Sequence, residues 1–206
     1  RREYRRHGLN EKTMPSKPIP FFERWFQEAL HAKVLDANAF TVATLTPRGF
    51  PATRTVLLKG LDRRGFQFFT NYDSQKGREL TRKPRASLLF YWKELERQIR
   101  VDGRVEKVSK PESDAYFKTR PRGSQLGAWA SDQSEIVPNR DYLEKRLLSF
   151  REKFEGLVVP RPPHWGGFRV LPDLVEYWQG RPDRMHDRVR YRLVSGSTWK
   201  RERLSP

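Results

Sequence analysis

From residue 39 onward the chain alternates short β-rich runs with turn chemistry, and that succession constrains the fold more than any other feature. The runs "AFTVATLT" (39–46), "ATRTVLLKG" (52–60) and "GFQFFTN" (65–71) are rich in β-branched and aromatic residues. Between them, "PRGF" and "LDRRG" read as hairpin turns. "RASLLFYW" (85–92) and "ERQIRVDGRVEKVS" (96–109) continue the pattern, with Gly103 predicting a bulge or sharp bend. "GGFRVLP", "LVEYWQG", "DRVRYRLV" and "TWKRERLSP" end the chain as further strands. Seven or more short strands in antiparallel succession, with helices inserted instead of alternating, predict an α+β chain that is mainly β. The expected architecture is an antiparallel β-barrel with peripheral helices.

The helices are equally legible. "IPFFERWFQEALHAKVL" (19–35) places Phe22, Trp25, Phe26, Ala29, Leu30 and Val34 at helical spacing. "SQKGRELTRKP" (74–84) reads as a short helix stopped by Pro84, and a second helical stretch begins at Pro111 with "PESDAYFKTRP" and then "GSQLGAWASDQS". In "NRDYLEKRLLSFREKFEG" (139–156), Asn139 is placed to cap a helix and Gly156 to stop it. Residues 1–17 are basic, proline-punctuated and without periodicity. They read as a flexible arm ahead of one domain, 18–206, which is long enough to bury a real core.

Charge and composition exclude several classes. Forty-two Lys and Arg against twenty-five Asp and Glu give +17, which must attract something anionic: nucleic acid, a membrane surface or phosphorylated small molecules. With no cysteine there are no disulfides, thiolate metal sites or cysteine nucleophiles. His7, His31, His164 and His186 are scattered without metal-ligand spacing, so no metal is expected. No apolar run approaches the roughly 20 residues of a membrane span, and the basic start lacks the apolar segment of a signal peptide. The expectation is therefore a soluble cytoplasmic protein. No G-x-G-x-x-G, Walker loop or G-x-S-x-G elbow supports a Rossmann or hydrolase fold.

Five stretches carry chemistry. In "RTVLLK", Arg54, Val56 and Leu58 share one strand face while Thr55, Leu57 and Lys59 share the other, so the two cations suit two different anions or simply reach solvent. "SQKGREL" places a lysine and backbone N–H groups at a helix start, a seat for phosphate. Gln98 lies mid-strand among apolar neighbours, either as a satisfied core amide or as a partner for a heterocycle edge. "YFKTRPRGSQLGAWASDQS" gathers Tyr116, Arg120, Ser124, Gln133 and Ser134. There Tyr116 and Arg120, four apart, share a helix face that either grips phosphate or faces water. In "WQGRPDRMHDR", Arg184, His186 and Arg188 alternate. On an extended backbone they project from one side, and they repel one another unless an anion or carboxylate compensates them.

The ordered series "RREY", "RTVLLK", "FFTN", "LERQIRVDG", "YFKTRPRGSQLGAWASDQS", "HWGGFRV", "EYWQG", "RMHDR" and terminal "ERLSP" closely resembles the pyridoxine/pyridoxamine 5′-phosphate oxidases, FMN-dependent split-barrel flavoproteins. The resemblance covers nearly the whole chain. It implies a homodimer with FMN at the subunit interface, and oxidation of the two phosphorylated vitamin B6 forms by O2 to pyridoxal 5′-phosphate. Hydrogen peroxide is released, together with ammonia from the amine. By the same resemblance, cofactor contacts fall on Arg54, Thr55, Val56, Leu57, Leu58 and Lys59, on Phe69 and Thr70, and on Gln75, Lys76 and Gln98. Gln133, Ser134, Trp178 and Arg188 complete that set, drawn from the two subunits. Gln75 stands where the family often has arginine, which removes one charge from the cofactor phosphate.

The substrate phosphate falls to Lys59, Tyr116, Arg120 and Ser124. Arg184 and His186, with Met185 between them, are implied to contact the pyridine ring as the catalytic pair. Arg1, Arg2, Glu3 and Tyr4 match a segment that closes over the substrate. Two readings stand against this one. A nucleic-acid-binding barrel would bind with steep salt dependence and carry no chromophore. A split-barrel relative that binds a cofactor without this activity would lack part of the Lys59–His186 set.

Overall fold

The computed structural model describes residues 8–206. Helix α1 (Pro18–His31) leads into the hairpin of β1 (Ala39–Leu45) and β2 (Pro51–Leu57), followed by β3 (Gly60–Asp62) and β4 (Gly65–Asn71). Helix α2 (Gln75–Arg82) connects to β5 (Arg85–Trp92) and β6 (Arg97–Lys107). Three helices follow: α3 (Lys110–Thr119), α4 (Arg122–Ala130) and α5 (Arg140–Lys153). The chain ends in β7 (Trp165–Gln179), β8 (Asp187–Ser195) and β9 (Thr198–Leu204).

All strand pairs are antiparallel and form one sheet, in the order β2-β1-β5-β6-β7-β4-β3, with β8 on β7 and β9 on β8. Strand β7 is the branch point. It pairs with β6 along one side; on the other, its first half pairs with β4 and its second half with β8. This divided side splits the barrel.

The sequence reads 165–179 as two strands, whereas the structure has one. Pro172, which suggests a break, sits at the register shift where Gly103 faces it. A bulge leaves a proline without a ladder bond to lose, so the strand continues through it. A Cβ on Gly103 would stand 2.2 Å from the Leu171 carbonyl oxygen, so the predicted bend at Gly103 is also a position only glycine fits.

Phe21, Phe22 and Trp25 of α1 are buried against the inner face of the sheet, where Phe22 meets Phe66 and Phe90 edge-on and Phe21 meets Tyr177. The Tyr177 hydroxyl donates to the Pro18 carbonyl at 2.7 Å, tying the helix start to β7. Phe22 is fully buried, so its truncation to alanine is expected to cost about 3–5 kcal/mol. A second, smaller cluster of Phe117, Leu126, Phe154, Val159 and Trp165 packs α3, α4 and α5 against the start of β7. Asn139 caps α5 through the Tyr142 N–H, as its position predicts.

The segment from Leu9 to Pro15 is held down. Leu9 N–H donates to Asp187, Met14 is buried, and Arg201 and Tyr191 donate to the Met14 and Pro15 carbonyls. Arg1, Arg2, Glu3 and Tyr4 lie outside the described residues.

Candidate active site

A cleft of about 1180 Å³ runs between β2, β4, the start of α2 and the α3–α4 pair. Its lining carries four cations, Arg54, Lys59, Lys76 and Arg120, and no carboxylate among the described residues. Strand β2 pairs only with β1 and so presents an edge, which is why residues from both of its faces, Arg54, Thr55, Val56 and Leu57, reach the cleft. The strand stops at Leu57, and the alternation expected through Lys59 stops with it. Leu58 turns into the core at 7% exposure and does not line the cleft, while Lys59 does.

At one end of the cleft, Asn71 and Ser74 build the turn that starts α2. Ser74 Oγ accepts from the Gly77 N–H at 3.2 Å, and Asn71 Oδ1 accepts from the Asp73 N–H at 2.7 Å. A Cβ on Gly77 would stand 2.1 Å from the Tyr72 carbonyl oxygen, so glycine is required for the helix to start this close to β4. Lys76 is buried there, and its ammonium donates to Thr70 Oγ1 at 3.1 Å and Ser74 Oγ at 3.4 Å. The Thr70 hydroxyl in turn donates to Gln133 Oε1 at 3.2 Å, which ties the loop after α4 to this end of the cleft.

Burial, and then the nearby Arg54 charge, depress the Lys76 ammonium from 10.5 to about 8, with Glu79 pulling the other way. Arg54 donates to Thr44 Oγ1, to the Ala52 carbonyl at 3.0 Å and to Glu79 at 3.4 Å. Gln75, on the cleft wall, donates to Glu79 Oε1 at 2.8 Å.

The other end is aromatic and basic. Trp165, Phe69 and Tyr116 form a parallel stack, with Phe69–Tyr116 centroids 4.0 Å apart and Phe69–Trp165 centroids 5.5 Å apart. The Arg120 guanidinium lies over Trp165 at 4.5 Å, and its Nη1 is buried without a hydrogen-bond partner. Burial pulls Arg120 below the ordinary guanidinium value and pushes the Tyr116 hydroxyl above the ordinary phenol value, since each neutral form is the easier one to bury. Ser124 and Lys59 border the same end. A buried guanidinium N–H with no acceptor marks where an anion fits.

The remaining predicted residues form a second cluster, which does not line this cleft within one chain. Gln98 faces Trp178 across β6–β7, and Trp178 faces Arg188 across β7–β8. Arg188 is fixed by the buried Glu176, at 2.8 Å. The Trp178 and His186 rings lie 4.7 Å apart, and the Arg181 N–H donates to His186 Nδ1 at 3.1 Å. Arg184 and Met185 are exposed beside them.

The expected one-sided alternation of 184, 186 and 188 does not form. Pro182 opens a short 3-10 turn in which Asp183 and Arg184 adopt positive φ of 52° and 61°, and β8 starts only at Asp187. Arg184 and His186 therefore belong to a turn, not to a strand face.

Residues 26–154 match the family model described as pyridoxamine 5′-phosphate oxidase. The chain belongs to the pyridoxamine 5′-phosphate oxidase family. Residues 165–206 match the model described as the pyridoxine 5′-phosphate oxidase C-terminal dimerisation region. Pyridoxine/pyridoxamine 5′-phosphate oxidases of Cupriavidus necator and Rubrobacter xylanophilus are each 57% identical over all 206 residues, spanning 97% and 94% of those proteins. Among solved structures, PhzG from Burkholderia lata in complex with tetrahydrophenazine-1-carboxylic acid superposes with a TM-score of 0.89 at 34% identity, over 95% of each chain. A pyridoxamine 5′-phosphate oxidase-related FMN-binding protein from Nostoc punctiforme shares the fold, with a TM-score of 0.72 at 20% identity over 90% of this chain and 97% of that one.

Within this family frame, sequence reasoning passed over three side chains that hold the site together. Trp165 is the shelf under Arg120, Glu79 anchors Arg54, and Glu176 anchors Arg188. The two glutamates carry no sequence signal, because each looks like an ordinary solvated charge until a cation from another strand meets it.

Proposed function

We propose that this chain oxidises pyridoxine 5′-phosphate and pyridoxamine 5′-phosphate to pyridoxal 5′-phosphate in vitamin B6 metabolism. FMN and O2 are used; H2O2 is released, with ammonia from the amine. The observation that carries this reading is the cleft: four cations at two ends, no carboxylate among the described residues, and an aromatic stack at the Arg120 end. That lining suits two phosphorylated, planar ligands held side by side.

The donor set fits FMN. Lys76 is buried against hydroxyls, and Arg120 keeps a buried N–H without a partner, so both ends of the cleft have cationic capacity to offer an anion. Arg54, Gln75 and Lys76 hold the cofactor phosphate, and Thr55, Val56 and Leu57 flank its ring with Thr70, Gln133 and Ser134. When bound, FMN supplies hydride acceptance and reoxidation by O2.

Lys59, Tyr116, Arg120 and Ser124 hold the substrate phosphate. Fixing the ring by that anchor sets the reacting carbon in place before chemistry, which is an entropic contribution. Phe69 and Trp165 wall that end against water.

The chain works as a homodimer, and its second cluster completes the partner's cleft. Gln98, Trp178 and Arg188 reach the flavin from across the interface, while Arg184, Met185 and His186 reach the substrate. The Arg181 N–H on Nδ1 selects the tautomer of neutral His186 with its proton on Nε2, which orients a hydrogen bond to the reacting substituent. Arg184 adds positive charge at the same place. A cytoplasmic location belongs to the same proposal; no described helix is long and apolar enough to cross a membrane.

The test is oxygen consumption by the FMN-loaded protein with pyridoxine phosphate, pyridoxamine phosphate, unphosphorylated pyridoxine and a tricyclic carboxylate. Turnover of the two phosphorylated substrates is expected. The carboxylate, a class suggested by the ligand of PhzG, brings no phosphate for the Arg120 end and is expected to react poorly. Oxygen uptake with neither phosphorylated substrate refutes the proposal.

A further inference from the structure

Glu79 is a buried carboxylate that the function described above does not use. Its side chain is 2% exposed, three residues after Lys76 and four after Gln75, so all three lie on one side of α2. One carboxylate oxygen takes the Thr44 hydroxyl and an Arg54 N–H at 3.4 Å; the other takes the Gln75 amide at 2.8 Å. Thr44 in turn accepts from Arg54. Arg54, Thr44 and Glu79 thus close a triangle that joins β2, β1 and α2. Arg54 needs such a brace, because β2 is an edge strand and a long side chain on an edge has many rotamers. An anion so close to the cations of an anion seat works against binding by Coulomb attraction alone. Its retention there is explained by what it orients.

We propose that Glu79 is a positioning residue for the cofactor phosphate: with Thr44, it holds Arg54 and Gln75 in the arrangement that, with Lys76, takes a phosphate group. This rests on reading the Arg54–Lys76 end as the seat of the FMN phosphate. Two opposing effects give the idea a sign. Removing the negative charge makes the seat more positive and by itself tightens phosphate binding. Releasing Arg54 loosens it. In this geometry the second effect is the larger, because the bonds lost are charge-assisted and buried.

The experiment titrates apoprotein with FMN and, separately, with riboflavin, which has the same ring and no phosphate, following the quenching of flavin fluorescence. In Glu79→Gln the FMN dissociation constant is expected to rise about tenfold or more, the scale of a lost charge-assisted hydrogen bond, while riboflavin binding stays within about twofold. Thr44→Val, which deletes the hydroxyl bridge and keeps the carboxylate, is expected to shift FMN in the same direction. It supplies the readout if Glu79→Gln does not fold. Equal weakening of both flavins would make Glu79 a structural brace only and overturn the proposal. So would unchanged or tighter FMN binding. If wild-type protein shows no preference for FMN over riboflavin, the seat itself is misplaced and this role falls with it, a failure visible before any variant is made.

Discussion

Raising the pH from 7 to 9 is expected to weaken FMN binding through Lys76. Lys76 is 7% exposed; among the described residues its ammonium donates to the Thr70 and Ser74 hydroxyls, and it feels the Arg54 charge. Burial first, and Arg54 second, bring it down to about 8 before any phosphate is bound. The protonated fraction then falls from about nine-tenths at pH 7 to about one-tenth at pH 9, so the FMN dissociation constant rises about tenfold when bound phosphate keeps the ammonium charged. The phosphate itself is not the source of the slope, since its second proton leaves near pH ~6.

The stability of the apoprotein moves the other way. A lysine depressed in the folded state is protonated more readily in the unfolded chain. Its contribution to folding therefore rises between about pH 8 and the ordinary 10.5. Flavin fluorescence titrations across this range measure the slope, and calorimetry in two buffers should register uptake of about half a proton per FMN at pH 8. Lys76→Met should bind more weakly, with a flat profile. A flat wild-type profile, or a slope that survives in Lys76→Met, refutes the assignment.

Three further outcomes are expected. Arg120→Ala should raise KM roughly tenfold to a hundredfold for pyridoxine phosphate and leave the KM for unphosphorylated pyridoxine nearly unchanged, if the buried, unpartnered N–H over Trp165 takes the substrate phosphate as proposed; steady-state oxygen uptake decides it, and equal losses would contradict the role. Arg184→Ala should cripple turnover while the purified protein stays yellow, and loss of FMN with unchanged activity per flavin would reassign the residue to the cofactor. Gln75→Arg, which adds a cation to the cleft wall beside Glu79, should tighten FMN severalfold in the same fluorescence titration; no change would mean that position 75 does not face the phosphate.

The strands were legible because their edges coincide with turn chemistry: Arg85–Trp92 and Gly65–Asn71 fall where the β-rich runs place them. Strand β7 was not, because a proline reads as a break unless the bulge on the neighbouring strand is already known. The residues of the cleft were recoverable from ordered motifs, and Arg54, Lys76, Tyr116 and Arg120 do converge. What the motifs could not give was the division of the set. Trp178, Arg184, His186 and Arg188 sit in motifs, "EYWQG" and "RMHDR", that resemble the family just as closely, yet they stand apart from the cleft within one chain. The alternation of 184, 186 and 188 assumed an extended path; Gly180, Pro182 and Asp183 instead shape a bend, and the positive φ at Asp183 and Arg184 takes Arg184 off that path.

That division reaches beyond a single molecule. A dimer pairing an Arg120→Ala chain with an Arg184→Ala chain would hold one site bearing both lesions and one bearing neither. At a substrate concentration far below the raised KM of Arg120→Ala, where each variant alone is nearly idle, the two proteins, mixed and allowed to exchange subunits, should then recover up to about a quarter of wild-type activity by random assortment. In a cell carrying both alleles, each defective gene would partly mask the other.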